Sequence, residues 1–275
     1  MNDQKNEIVE AQRSKLTNVA IDDELLKMGG AGTENVKSKD ILIPRLVILQ
    51  SLSPQLNKKK EADYVEGAES GDFCNVATGD IYKAEVEVIP CHFATAYIEW
   101  TKNRGGLAAN HGDNSLVLDK ATRNDKNENI LPNGNIIQET AQWYCLLKDG
   151  MQWTRVFFPL KSTALKHSRK WLTLVRAETL MVNGNAWKPP LFWRSWKLTV
   201  VDESNDQGDW SAFRPERGEE VAKIDESRQL LRMCMNFYEE VRTNVVRGEV
   251  AQDEGSGPVI DGSINKDIKD KDIPF

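Results

Sequence analysis

Hydrophobic and polar positions change period several times along this chain, and each change marks an expected element. From Ile41 to Leu56 the run ILIPRLVILQSLSPQL is almost continuously apolar. Pro44 and Pro54 interrupt it, and a proline ring removes a donor and clashes with the preceding turn, so extended and turn structure is expected instead of one long helix. Gly71 to Asp80 supplies turn residues. Ile81 to Trp100 follows, and its segment IYKAEVEVIP alternates apolar and polar, the clearest strand signal present. Residues 102–141 carry many Gly, Asn and Asp and little period, and read as a long surface loop with a hairpin at Asn133-Gly134.

Residues 142–160 read as two strands, QWYCLLK and MQWTRVFFPL, joined as a hairpin across Lys148-Asp149-Gly150. In the second strand alternation puts Trp153, Arg155 and Phe157 on one face and Thr154, Val156 and Phe158 on the other. The first face has the character of a base-stacking platform, the second that of a core. Ser162-Thr163 offer an N-cap to ALKHSRKWLTLVRAE, in which Leu165, Leu172 and Val175 face inward while Lys166, Arg169 and Lys170 stay in solvent. After a turn at Asn183-Gly184-Asn185, LFWRSWKLTVV is a further strand with Phe192, Arg194 and Trp196 on one face. Apolar residues at 221, 224, 231, 234, 235, 238, 241 and 245 predict a long amphipathic helix between Glu219 and Val246, packing on the sheet or on a second subunit. The expected organisation is a polar N-terminal arm over 1–40, a folded domain over 41–216, the amphipathic helix over 217–247 and a disordered tail over 248–275. The fold class is α+β, mainly β.

At 275 residues with 40% hydrophobic content, the chain can bury a sizeable core. No run of about 18 apolar residues occurs, and the first twenty residues carry acids where a signal peptide needs an apolar stretch. A soluble, cytoplasmic protein is therefore expected. Cys74, Cys91, Cys145 and Cys234 stand far apart without a C-x-x-C pair, which argues against a disulfide framework and for reduced, mostly buried thiols. A zinc site built on Cys91-His92 with Cys74 or Cys145 is the alternative, though structural zinc usually shows paired ligands at short spacing.

Charge changes the picture more. The formal net charge is -6, but residues 148–197 hold ten Lys or Arg against only Asp149 and Glu178, a local +8. The same window holds Trp153, Trp171, Trp187, Trp193 and Trp196 together with Phe157, Phe158 and Phe192. Single-stranded nucleic acid presents phosphates that attract cations and unstacked bases that need flat partners, so this interleaving fits such a ligand. Trp153, Phe157, Trp171 and Trp196 are the candidate base-stacking residues. Arg155, Lys161, Lys166, Arg169, Lys170 and Arg194 are the candidate phosphate contacts. The competing reading makes these aromatics core.

Motifs for nucleotide hydrolysis, dinucleotide binding, zinc proteolysis and serine-hydrolase chemistry do not occur, so no enzymatic activity and no cofactor is expected. Glu85 and Glu87 share a strand face and suggest a nuclease metal pair, but the lysine that commonly follows such a carboxylate is missing.

The last 28 residues carry seven acids and three lysines and finish with Asp270-Lys271-Asp272-Ile273-Pro274-Phe275. Apolar groups at the end of a solvated tail suit a partner with an apolar pocket and a basic rim. This ending resembles the acidic tip of bacterial single-stranded-DNA-binding proteins, with Asp270, Asp272, Ile273, Pro274 and Phe275 at matching positions and Lys271 in place of an acid. Upstream, LIPRLVILQSLSPQL, GDFCNVATGDIY and STALKHSRKWLTLV resemble large phage-encoded single-stranded-DNA-binding proteins. The resemblance implies an OB-like β-barrel core with helical additions, acting in DNA replication, recombination and repair in the bacterial host cytoplasm, and recruiting partner proteins through the tip. Two other roles remain open: a regulatory protein engaging host replication or transcription machinery, and a strand-annealing recombination mediator working as a homo-oligomer.

Overall fold

Period-two alternation governs most of the folded chain. The computed structural model describes residues 27–28, 31–35, 42–60, 62–205, 208–225 and 227–243. Its strands are β1 (Leu46–Ile48), β2 (Phe73–Asn75), β3 (Ile81–Tyr82), β4 (Glu85–Trp100), β5 (Leu107–Asn110), β6 (Thr122–Arg123), β7 (Asn129–Ile130), β8 (Ile136–Asp149), β9 (Gln152–Lys161), β10 (Leu180–Val182), β11 (Asn185–Trp187), β12 (Arg194–Asn205) and β13 (Gly208–Glu220). The helices are α1 (Leu165–Arg176) and α2 (Ser227–Arg242). No helix among them is long and apolar enough to cross a membrane.

The main sheet is antiparallel and runs β13-β12-β4-β8, with β9 and β7 sharing the outer edge of β8. It curls into a half-barrel. Pro90 lies inside β4, where it cannot donate to the ladder, and the β4–β8 register slips between Pro90 and His92. A second slip, between Arg194 and Trp196, bends β12 against β13. There Gly218 lies so close to Ser195 that an added Cβ would collide with its hydroxyl and carbonyl oxygens, so only glycine fits.

A small sheet, β1-β2-β3, spans the open side of the half-barrel. On one flank the Phe157 N–H donates to the Pro44 carbonyl at 2.8 Å. On the other, the Gln50 side chain pairs with β13 as a strand would: its Nε2 donates to the Ser211 carbonyl at 2.9 Å, and its Oε1 accepts from the Ser211 N–H at 3.0 Å. The segment from Pro44 to Gln50 thus bridges β9 and β13.

The central part of the sheet, around β4, β8 and β9, is buried on both faces. Inside the curl, Phe73, Trp143, Phe158, Trp171, Trp196 and Phe213 form the main core, with α1 supplying Trp171. Outside, α2 lays Leu230, Cys234, Phe237 and Val241 over Ile89, Cys91, Tyr144, Leu146 and Phe157. These helical positions repeat at intervals of three and four and make one apolar stripe.

Several expectations change in detail. The helix spans 227–242 in place of 219–246; Val221–Lys223 form a separate 3-10 turn, and Leu231 and Met235 face outward because the buried stripe includes Leu230 and Phe237 instead. The expected hydroxyl cap of α1 is not made. Ser162–Ala164 form a 3-10 turn, Ala164 takes the cap position, and no side chain caps the helix. The stretch 102–141 carries β5, a 3-10 turn at Ser115–Lys120, β6, β7 and the start of β8. Its hairpin at Asn133-Gly134 is present, closed by the Leu131 N–H donating to the Asn135 carbonyl. The buried Glu99 ties this region down, accepting from Asn135 Nδ2 at 2.6 Å and Asn133 Nδ2 at 3.3 Å and pairing with His111 Nε2 at 2.7 Å. Most of the 1–40 arm, the whole 248–275 tail and the tip residues Asp270, Asp272, Ile273, Pro274 and Phe275 lie outside the described residues.

Candidate nucleic-acid interface

The expected alternation in β9 is real, but neither face is open to bases. Trp153 and Phe157 belong to the outer core beneath α2, while Val156 and Phe158 belong to the inner core. Phe157, Trp171 and Trp196 are completely buried, so no base can stack on them in this conformation. Trp171 stacks on Trp143 with ring centroids 3.9 Å apart and meets Trp196 edge-on. These three aromatics belong to the core and not to a stacking platform. Trp153 is half-buried, with Lys148 Nζ 5.8 Å from its ring centre. Phe192 and Trp196 do not share a face either. Phe192 sits in the 3-10 turn Leu191–Trp193 and joins the outer core, because the slip at Arg194–Trp196 breaks the alternation.

The +8 window is largely neutralised in space by acids from elsewhere in the chain. Lys148 meets Glu87, Arg155 meets Glu240, Lys166 meets Glu203, Arg169 meets Glu139 and Lys197 meets Glu85, all within 3.0 Å. Arg155 also lies over the Phe237 ring, so it anchors α2. Arg194 is held by Glu178 in a bidentate pair and donates to the Gly218 carbonyl at 2.8 Å, making it a structural clamp. Those Arg194 hydrogen bonds, against the opposing pull of burial, hold the Glu178 carboxyl below its ordinary range. Of the proposed phosphate contacts, Lys166, Arg169 and Lys170 are exposed on α1, while Lys161 stands at the end of β9.

Lys161 lines a cavity of about 380 Å³ between the end of β9 and the Trp210–Phe213 stretch of β13. Phe157 turns its N–H outward to Pro44, so the strand edge two residues on, at Pro159, also faces this seam. Proline has no N–H to offer another strand there. The cavity therefore draws on both faces of the sheet: Trp100, Gln138, Thr140 and Lys161 from one, Phe158 and Phe213 from the other. Arg45 and Trp210 complete opposite sides of its wall. Trp100 Nε1 and Gln138 Oε1 are buried and have no hydrogen-bond partner among the described residues. Ser162, held at a φ of 51°, lines the same wall and accepts from Gln138 Nε2.

Trp210 is half-buried. Its Nε1 donates to Glu203 at 3.1 Å, and Lys166 Nζ lies 5.6 Å from its ring centre. Glu203 also meets His167, and the hydrogen bond from Lys166 first, then that from His167, keeps its carboxyl low. Sequence reasoning missed Arg45, Trp100, Gln138 and Trp210. A usable signal existed for Trp210, which lies in the polar stretch Asp209-Trp210-Ser211. Gln138 and Trp100 come together only through the pairing of β4 with β8.

All four cysteines are buried thiols outside any disulfide. Burial pushes the Cys91 thiol far up, reinforced by its neighbour Cys234 on α2. Among the described residues no three His, Cys, Asp or Glu side chains are placed to hold a metal ion. Glu85 and Glu87 are paired with Lys197 and Lys148.

Fold and seam together define a mainly β half-barrel protein with a polar-tipped apolar cavity. The chain matches the family model described as Pam3 phage gp34-like protein over residues 14–247, and it belongs to that family. No curated protein and no solved structure matches it.

Proposed function

We propose that this protein binds single-stranded DNA along the seam of its half-barrel, without catalysing a reaction on it, and recruits replication, recombination and repair proteins through its C-terminal tip. The observation that carries this reading is the seam cavity, where Arg45 and Lys161 stand beside apolar walls, a half-buried tryptophan and two polar atoms that lack partners among the described residues. Cations supply phosphate attraction, while the concave apolar wall takes bases that duplex DNA keeps stacked away. A curled antiparallel sheet closed by a small second sheet is compatible with an OB-like barrel, whose concave side commonly binds strands. The family name, taken from a phage protein, is compatible with an infected bacterial cytoplasm. The tip Asp270 to Phe275 supports a role in DNA metabolism there.

Fluorescence anisotropy of labelled oligo-dT and of a duplex of equal length, at two salt concentrations, tests the reading. Tight binding of oligo-dT, weak binding of duplex and a steep fall in affinity with salt are expected. Equal affinity for both forms, or no binding, contradicts it. Removal of residues 264–275 is expected to abolish partner capture and leave strand binding intact.

A further inference from the structure

We propose that the seam cavity receives one unstacked nucleobase of the bound strand, with Gln138 Oε1 accepting from a base N–H and Trp100 Nε1 donating to a base oxygen or ring nitrogen. This rests on the single-strand reading and adds the pocket's chemistry to it. Both atoms are buried and unpartnered among the described residues, and both residues line the same cavity, so a base meets them once the two side chains turn into it. Strand register places them together. Trp100 pairs with Ile136, and Gln138 lies two residues along the same face of β8, a diagonal separation of about 7–8 Å between backbones. Long side chains reach across that gap. The hydrogen-bonding edge of a nucleobase presents a donor beside an acceptor, which is the pair these two side chains lack.

Size and shape point the same way. At about 380 Å³ the cavity far exceeds the roughly 30 Å³ share of one water, and it lies near the lower end for ligand sites, suited to a nucleoside. Phe158 and Phe213 give apolar walls for a flat ring. Arg45 and Lys161 line the same cavity, where the phosphates on either side of an inserted base would run. The base therefore arrives as part of a strand.

The test compares the full chain's affinity for oligo-dT with that for an oligonucleotide of the same length and charge in which several bases are replaced by abasic sites. Wild type is expected to prefer oligo-dT by about tenfold or more, the scale of one or two buried hydrogen bonds plus ring contact. Gln138→Leu is expected to remove most of that preference while leaving affinity for the abasic strand unchanged. Trp100→Phe deletes the N–H and keeps a smaller aromatic ring, and it provides a second variant should the first unfold, with melting curves confirming the fold of each. Equal binding of both strands by wild type overturns the base pocket and leaves single-strand binding standing. An undiminished preference in both folded variants also overturns it. Binding of neither strand removes the single-strand reading and the pocket together. Gln138-dependent binding of thymidine monophosphate, with oligo-dT unbound, makes this a free-nucleotide site and overturns the strand-borne base.

Discussion

Glu178 and Arg194 show how a residue placed in the DNA-contact set by its charge serves the fold instead. Both side chains are mostly buried, and the guanidinium fork matches the carboxylate while its remaining donor reaches the Gly218 carbonyl. The folded-state carboxyl is held below its ordinary value, so the pair's stabilisation is complete above the unfolded pKa of about 4.3 and is lost as pH falls through the lower folded value. Glu178→Gln is therefore expected to lower stability at pH 7 and to flatten its dependence on pH below about 5, measured by thermal melts across a pH series. Arg194→Ala strands a buried carboxylate and is expected to cost about 3 kcal/mol, measured by denaturant titration. Unchanged stability with weakened DNA binding would return Arg194 to the interface. Glu99 behaves similarly: burial raises its pKa, but the donors Asn135, His111 and Asn133 outweigh that and hold it low.

At the scale of elements, β9 was legible in its alternation and illegible in its surroundings. Hairpin, period and facing residues follow from the local pattern of MQWTRVFFPL, because strand geometry is local. Which face meets solvent is not local; it depends on α2, some seventy residues later, whose stripe lands on Phe157 and Arg155. A charged residue among aromatics therefore suggested a binding platform where the arginine reaches Glu240 on the covering helix. The buried stripe of α2 departs from the expected one by part of a turn, since Leu231 and Met235 are as apolar as the residues that pack. Phe237 sits fully buried between Tyr144 and Arg155. Phe237→Ala is expected to destabilise by about 3–5 kcal/mol with strand affinity of the folded fraction unchanged. Denaturant melts and anisotropy on the same sample separate the two effects. A large loss of affinity without destabilisation would restore the α2-covered face as a DNA surface.

Across the whole molecule, charge counted along the chain misplaced the interface. Residues 148–197 carry +8 in sequence, yet Glu85, Glu87, Glu139, Glu203 and Glu240 come from outside the window to meet its cations. Ion pairing across a folded sheet is invisible to a linear count. Lys161 is the member of the expected set that lies on the seam, and Arg45, about a hundred residues earlier, joins it there through the contact of the 44–50 segment with β9. The most direct test of the account is oligo-dT anisotropy on wild type, Arg45→Ala/Lys161→Ala and Arg169→Ala/Lys170→Ala, each across a salt series. The account predicts that the seam pair loses affinity and lowers the salt slope by about two counterions, while the α1 pair stays closer to wild type. Wild-type binding by the seam variant, with loss confined to the α1 variant, would move the interface off the seam and contradict the account.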